Sequence, residues 1–218
     1  MNGKRPCVIL VADSNMAAAF KGYLGRDQWH LSLGCAPFEF NADIGGDLLV
    51  DEGGNDPGVY TKGHELLRPY QKSHDRALVV LDCDWDGSLG KAVIERDITA
   101  NLVASGWSED AVKVIVIEPE LENWLWQDKP QVAEALKYRG ELGLRRFLEQ
   151  HNWWPQGATK PPRPKEAAEW LLRQTKTPRS SSIYQKLAAH ISIKGCTDVA
   201  FADMHTQLRA WFPAGGEA

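Results

Sequence analysis

Short, unbroken apolar runs alternate with longer amphipathic stretches through the first half of the chain. Cys7–Ala12 (CVILVA), Leu78–Leu81 and Val112–Ile117 (VKVIVI) are runs of the first kind. An apolar run of strand length with no polar alternation predicts a strand covered on both faces, as in a parallel sheet. Trp29–Leu33 (WHLSL) is expected as a further strand, and Asp47–Val50 as a short one inside a long Gly/Asp/Asn-rich loop, residues 34–58. Loops of that length are usually functional or mobile. Between the strands, helices are predicted over Met16–Leu24, with Ala17, Phe20 and Leu24 inward, and over Val59–Gln71 despite Gly63. A third spans Ser88–Ser105, with a stripe of Ala92, Ile94, Ile98, Leu102 and Val103 and a stop at Gly106. Pro119 suits the first position of a fourth. Strand and helix thus alternate three times, which predicts an α/β fold with a parallel sheet flanked by helices.

The pattern changes after Asp128. Helices are expected over Gln131–Tyr138, Leu142–Gln150, Glu166–Arg173 and Ser181–Ile191, and from Thr197 or Asp198 to Trp211. A Pro-rich, basic, aromatic linker (152–165) interrupts them. The expected organisation is an α/β domain over 1–128 and a helical C-terminal region over 129–218.

The chemistry gathers where the central run stops. Leu78–Leu81 runs into Asp82-Cys83-Asp84-Trp85-Asp86-Gly87. Open α/β sheets bind ligands at the carboxyl ends of their strands. Massed carboxylates there need a neutralising partner, and Mg²⁺ takes hard oxygen ligands together with phosphate oxygens. Asp13 follows the first strand in the same way, although a helix N-cap is the simpler role for it. Glu118 and Glu122 sit four apart after Ile117, where a helix macrodipole alone would favour them.

With 218 residues the chain has room for one domain, with or without an appendage, and 43% hydrophobic residues can build its core. A net charge of -4 and a pI near 5.9 exclude a global basic footprint, so phosphate binding must rely on metal or on a local basic face. Basic residues do collect late: Arg145, Arg146, Lys160, Arg163, Lys165, Arg173, Lys176, Arg179 and Lys186. They predict a phosphate-backbone track beside the acidic site or an ordinary solvated helix surface. Four cysteines without CxxC spacing argue against a zinc ribbon and a disulfide framework and suit a cytoplasmic protein. No signal-peptide core or membrane span is expected. The histidines show no metal-ligand spacing. Trp124 reads as core; Trp85 as a base-stacking or edge-covering residue; Trp153-Trp154 as packing for the helical region in preference to a single-strand platform.

DxDxDG has several owners. An EF-hand loop needs Glu at its twelfth position, where Val93 stands. Asp84-Trp85-Asp86-Gly87-Ser88-Leu89 resembles the nucleophile loop of haloacid-dehalogenase phosphatases, with Asp84 as nucleophile and Asp86 as acid/base, but that loop opens its fold and the later motifs lack counterparts here. The ordered set CVILVAD, VVLDCDWDG and Pro119-x-x-Glu122-x-Trp124-Leu125, ending in Cys196, Phe201 and Leu208, resembles the Toprim superfamily. It is most similar to small stand-alone Toprim proteins, related to OLD-type nucleases, that accompany ATPases or restriction-type systems. The resemblance implies a Rossmann-like Toprim sheet. It implies a Mg²⁺- or Mn²⁺-dependent nuclease of an anti-phage system, with nucleic acid (DNA before RNA) as substrate, an ATPase as partner, and an oligomer as a possible assembly. It implies catalytic roles for Asp13, Asp82, Asp84 and Glu122. The metal ligands would be Asp82, Asp84, Asp86, Glu122 and Glu118, and the phosphate contacts Lys91, Lys160, Arg163 and Lys165. Toprim proteins carry Glu where this chain has Asp13, one methylene shorter, and general acid/base work depends on reach. A non-catalytic Toprim-fold subunit that binds a partner is the alternative from a different class; a phosphatase is the third.

Overall fold

The computed structural model describes residues 3–43 and 46–215. Residues 44–45 of the predicted long loop, and the ends of both expected regions, lie outside them. Four strands, β1 (Arg5–Val11), β2 (Leu48–Val50), β3 (His74–Asp82) and β4 (Val112–Ile117), form an all-parallel sheet in the order β2-β1-β3-β4. The predicted α/β class is therefore correct. Both faces are covered, which explains the unbroken apolar runs. On one face Cys7, Ile9, Val11, Leu78, Val80, Ile115 and Ile117 join a core that includes α1 (Ser14–Leu24). On the other, Val8, Leu10, Val79, Leu81, Val114 and Val116 meet α3 (Asp56–Leu67) and α4 (Lys91–Ala104) through Val59, Leu67, Ile94, Ile98 and Leu102.

The later helices are α5 (Glu122–Leu125), α6 (Pro130–Ala135), α7 (Leu144–Gln150), α8 (Pro164–Gln174), α9 (Ser181–His190) and α10 (Val199–Trp211). Their apolar faces continue the first core without a break. Helix α9 lies directly against α1, where Gly22 makes the approach possible: a Cβ there would sit 2.3 Å from the Gln185 carbonyl oxygen. Trp124 is fully buried between Phe20 and Phe201. Trp154 is buried against Trp126, so it packs the helical layer, as expected.

Several local expectations need correction. Trp29–Leu33 is a helix, α2, not a strand. Leu33 is buried while Leu31 is 64% exposed, a four-residue rather than a two-residue spacing with Trp29. Gly34 then ends the turn in the left-handed region, with its N–H on the His30 carbonyl. Helix α3 starts earlier than predicted, because Asn55 caps it through Gly58 N, and stops at Leu67, with Pro69 in the 3₁₀ turn that follows. Helix α4 begins at Lys91 rather than Ser88, and its buried stripe is Ile94, Ile98 and Leu102 alone, since Ala92 and Val103 face outward. Pro119 does not open a helix; α5 starts three residues later and makes one turn.

Among the described residues, no helix is long and apolar enough to cross a membrane.

Candidate functional site

Strand register brings the acidic residues to one edge. Val11 pairs with Val80, so Asp13 and Asp82 leave neighbouring strands at the same level. Asp51 follows β2, and Glu118 follows β4. Every strand of the sheet therefore runs into a carboxylate at its carboxyl end, the place where such sheets bind ligands.

Asp82 lies at the centre. It continues the alternation of Leu78 and Val80 and so aims at the α1 face. Its backbone N–H donates to Asp56 Oδ1 at 2.7 Å. Its own Oδ1 is buried with no hydrogen-bond partner among the described residues. Burial pushes the Asp82 carboxyl well above the usual carboxylate range, and the nearby charges of Asp56, Glu122, Asp13 and Glu120 push it further. Asp13 caps α1, with Oδ1 accepting from Met16 N at 2.8 Å. Burial, aided by Asp13, raises Asp56 as well, against the lowering effect of the Asp82 N–H. Glu120 is raised to about 7 by burial and by Glu122; it accepts from the Lys165 backbone N–H at 2.8 Å, and Lys165 Nζ lies 3.9 Å from its second oxygen. Glu122, also buried, accepts on Oε1 from Arg179 Nη2 at 2.9 Å and from the Tyr184 hydroxyl. Asp13, Asp56, Asp82, Glu120 and Glu122 thus share one neighbourhood, with Lys165 and Arg179 at its margin.

The predicted ligand set is divided. Asp84 and Asp86 are exposed and line an open basin with Trp85 and Glu118. The chain leaves the sheet at Cys83, whose N–H reaches the Ile117 carbonyl at 2.8 Å, and the Asp84 N–H turns to Pro119 O at 3.1 Å. That turn carries the second and third carboxylates of the motif away from the first. Glu118 and Glu122 do not form the expected helical pair, because Glu118 precedes the helix; it is exposed on the basin while Glu122 is buried. Trp85 covers the sheet edge near Tyr60.

The predicted basic track is divided too. Lys91 and Lys160 line one groove with Glu118, Asn123, Thr159 and Thr197. Lys91 Nζ is 3.9 Å from both Glu95 and Asp203, beyond hydrogen-bond reach, and Lys160 Nζ donates to the Asn123 carbonyl. Arg163 instead lies over the Trp153 ring at 5.1 Å, and Lys165 belongs to the acidic neighbourhood.

Asp56, Glu120, Arg179 and Tyr184 were not foreseen. Asp56 had a faint signal, an acidic residue beside Pro57 at a helix start that closes a long loop. Glu120 lies between two carboxylates that were singled out. Arg179 was named only as one of the late basic residues and Tyr184 not at all, since 57 and 62 positions separate them from Glu122.

Among the described residues, no three His, Cys, Asp or Glu side chains converge closely enough to hold a metal ion. In kind, however, the donors suit a hard divalent cation: all are carboxylate oxygens, and the buried Asp82 Oδ1 lacks any protein donor. Compared with protein-family models, with curated proteins and with solved structures, the chain matches none.

Proposed function

We propose that the chain is a divalent-metal-dependent nuclease of Toprim type that hydrolyses phosphodiester bonds in nucleic acid, DNA before RNA, with Mg²⁺ or Mn²⁺. The observation that carries the reading is Asp82: a buried carboxylate oxygen without a donor among the described residues, at a strand end whose other carboxylates raise it further. An isolated arrangement of this kind costs stability, and a cation would relieve it.

Asp82 would be the first ligand of that cation; Asp13, Asp56 and Glu122 each keep at least one oxygen outside their hydrogen bonds but would have to draw closer to share it, since among the described residues no three acidic side chains converge. When bound, it would polarise a phosphoryl oxygen as a Lewis acid. Burial and the nearby carboxylates raise the Asp82 carboxyl, and a ligand must be deprotonated, so cation binding strengthens as pH rises. Asp13, held by its cap on Met16, suits a ligand better than a mobile proton carrier. The groove of Lys91 and Lys160, beside the end of β4, supports the approach of a phosphodiester backbone. The anti-phage setting and an ATPase partner rest on the Toprim resemblance alone.

A second reading, a non-catalytic Toprim-fold subunit, is favoured by the finding that no three such ligands converge among the described residues. Calorimetry with Mg²⁺ and Mn²⁺ separates the two. The nuclease reading expects binding that Asp82→Ala abolishes, and metal-dependent cleavage of oligonucleotides that the same variant loses. A wild-type chain that binds neither metal supports the subunit reading.

A further inference from the structure

At the edge of the sheet opposite the acidic cluster, three side chains are hydrogen-bonded in series. His74 opens β3 and is buried. Its Nε2 lies 3.0 Å from Oδ1 of the fully buried Asp47, and its Nδ1 lies 3.0 Å from the Ser73 hydroxyl. Ser73 itself is exposed, at the end of the 3₁₀ turn that precedes the strand. The direction of these bonds follows from Asp47. Against burial, Arg5, the Asn41 N–H and His74 hold its carboxyl below the ordinary value, so Asp47 is ionised and can only accept. His74 Nε2 must therefore donate to it. In the neutral ring Nδ1 is then bare and accepts the Ser73 O–H. The hydroxyl's other neighbour, the Tyr70 carbonyl, is farther away at 3.3 Å. Asp47 already takes two bonds from Arg5 and one from Asn41, so its bond to His74 orients the ring beyond what the carboxylate itself needs. The Tyr70 ring, 5.3 Å away between centroids, packs beside the imidazole. A nucleophile within hydrogen-bond reach of a base, with the base oriented by a third group, is the arrangement that activates a serine.

We propose that Ser73, His74 and Asp47 form a nucleophilic relay for acyl transfer from small activated esters, with Ser73 as nucleophile, His74 as general base and Asp47 as positioning residue. The roles are those of a Ser-His-Asp triad with the two ring nitrogens exchanged. Ser73 Oγ bonds to the ester carbonyl carbon as its proton passes to His74 Nδ1. The ester C–O bond breaks, and the leaving oxygen takes that proton from His74. Water, giving its proton to His74, then cleaves the acyl-Ser73 ester and restores the hydroxyl, so that ester and water become acid and alcohol. The relay lies apart from the carboxyl edge and does not depend on the metal-dependent reading.

The full chain, with a chelator present to exclude cation chemistry, is treated with a fluorophosphonate, and the labelled residues are located by peptide mass spectrometry. Hydrolysis of p-nitrophenyl acetate is followed in parallel. The expected result is phosphonylation of Ser73, with loss of fluoride, well ahead of Ser32, which is exposed on α2 and serves as the internal reference. Ser73→Ala, a change at an exposed position, should remove that label and bring ester hydrolysis down to the level of the uncatalysed reaction. His74→Gln, shown to be folded by thermal unfolding, should slow labelling about 100-fold or more. Asp47→Asn can turn its amide donor toward Nε2 and so favour the tautomer with the proton on Nδ1; in a folded chain it should also slow labelling, which a merely structural carboxylate would not do. Labelling of wild-type Ser73 no faster than Ser32 would overturn the proposal, and that comparison needs no variant to fold. An unchanged labelling rate in folded His74→Gln would overturn it equally.

Discussion

The sheet holds a carboxylate at each of its two ends, and the two are treated in opposite ways. At the amino end, Asp47 is fully buried and saturated. It accepts from Arg5 Nε and Nη2, from the Asn41 backbone N–H at 2.5 Å, and pairs with His74 Nε2 at 3.0 Å. Burial alone would raise its carboxyl; Arg5, Asn41 and His74 outweigh burial and hold it below its ordinary value. At the carboxyl end, Asp82 has a buried oxygen with no donor among the described residues, and burial together with the nearby carboxylates pushes its carboxyl up. A carboxylate that fastens β1, β3 and the loop before β2 together comes with its donors. A carboxylate without them is a cost that the fold carries for another reason, and strongly perturbed groups in this position mark candidate functional sites.

The contrast can be broken most directly by mutation. Asp47→Ala strands the Arg5 charge and the His74 ring, and should cost about 3–5 kcal/mol in chemical denaturation. Asp82→Asn removes a repelled charge and should leave stability within about 1 kcal/mol of wild type. Equal losses from both would mean that Asp82 has a structural role and that the two ends do not differ.

A smaller effect should follow pH. Glu120 titrates at about 7 in the folded chain, against an ordinary value of 4.5. The groups that act on it include Glu122 on α5, Lys165 and Glu166 on α8, and Asp82 at the end of β3. A raised carboxyl means that the folded state binds more protons than the unfolded one, so stability must fall as pH rises from about 4.5 to 7. Glu120→Gln should flatten that part of the stability profile; a profile of unchanged slope would contradict the electrostatic account of the cluster.

The smallest effect is expected at the exposed basin. Asp84→Ala and Asp86→Ala should change stability by no more than about 0.5 kcal/mol. Their effect on Mn²⁺ affinity should be less than that of Asp82→Ala. A loss as large as at Asp82 would show that the basin and the buried cluster form one site.

Much of the scaffold was legible along the chain. The runs at Cys7–Ala12, Leu78–Leu81 and Val112–Ile117 became the three longer strands because a strand buried on both faces must be apolar at every position, and that is a local property. The cap at Asp13 and the burial of Trp124 were legible for the same reason. Trp29–Leu33 was misread because Trp29, Leu31 and Leu33 alternate with His30 and Ser32 as in a strand, and only the exposure of Leu31 and the turn at Gly34 show a helix. The candidate site was half visible: the sequence placed Asp13, Asp82 and Glu122 but also grouped Asp84, Asp86 and Glu118 with them, since spacing along a chain does not say where the backbone turns.

By itself, the sequence determined the α/β class, the parallel strands and the presence of carboxylates at their ends, because hydrophobic periodicity and strand-end chemistry act over a few residues. Only the tertiary structure decided which carboxylates share a neighbourhood and which cations meet them. Asp56 reaches Asp82 across 26 positions, and Arg179 reaches Glu122 across 57. Such contacts depend on how whole helices pack against the sheet, and no local pattern encodes that arrangement.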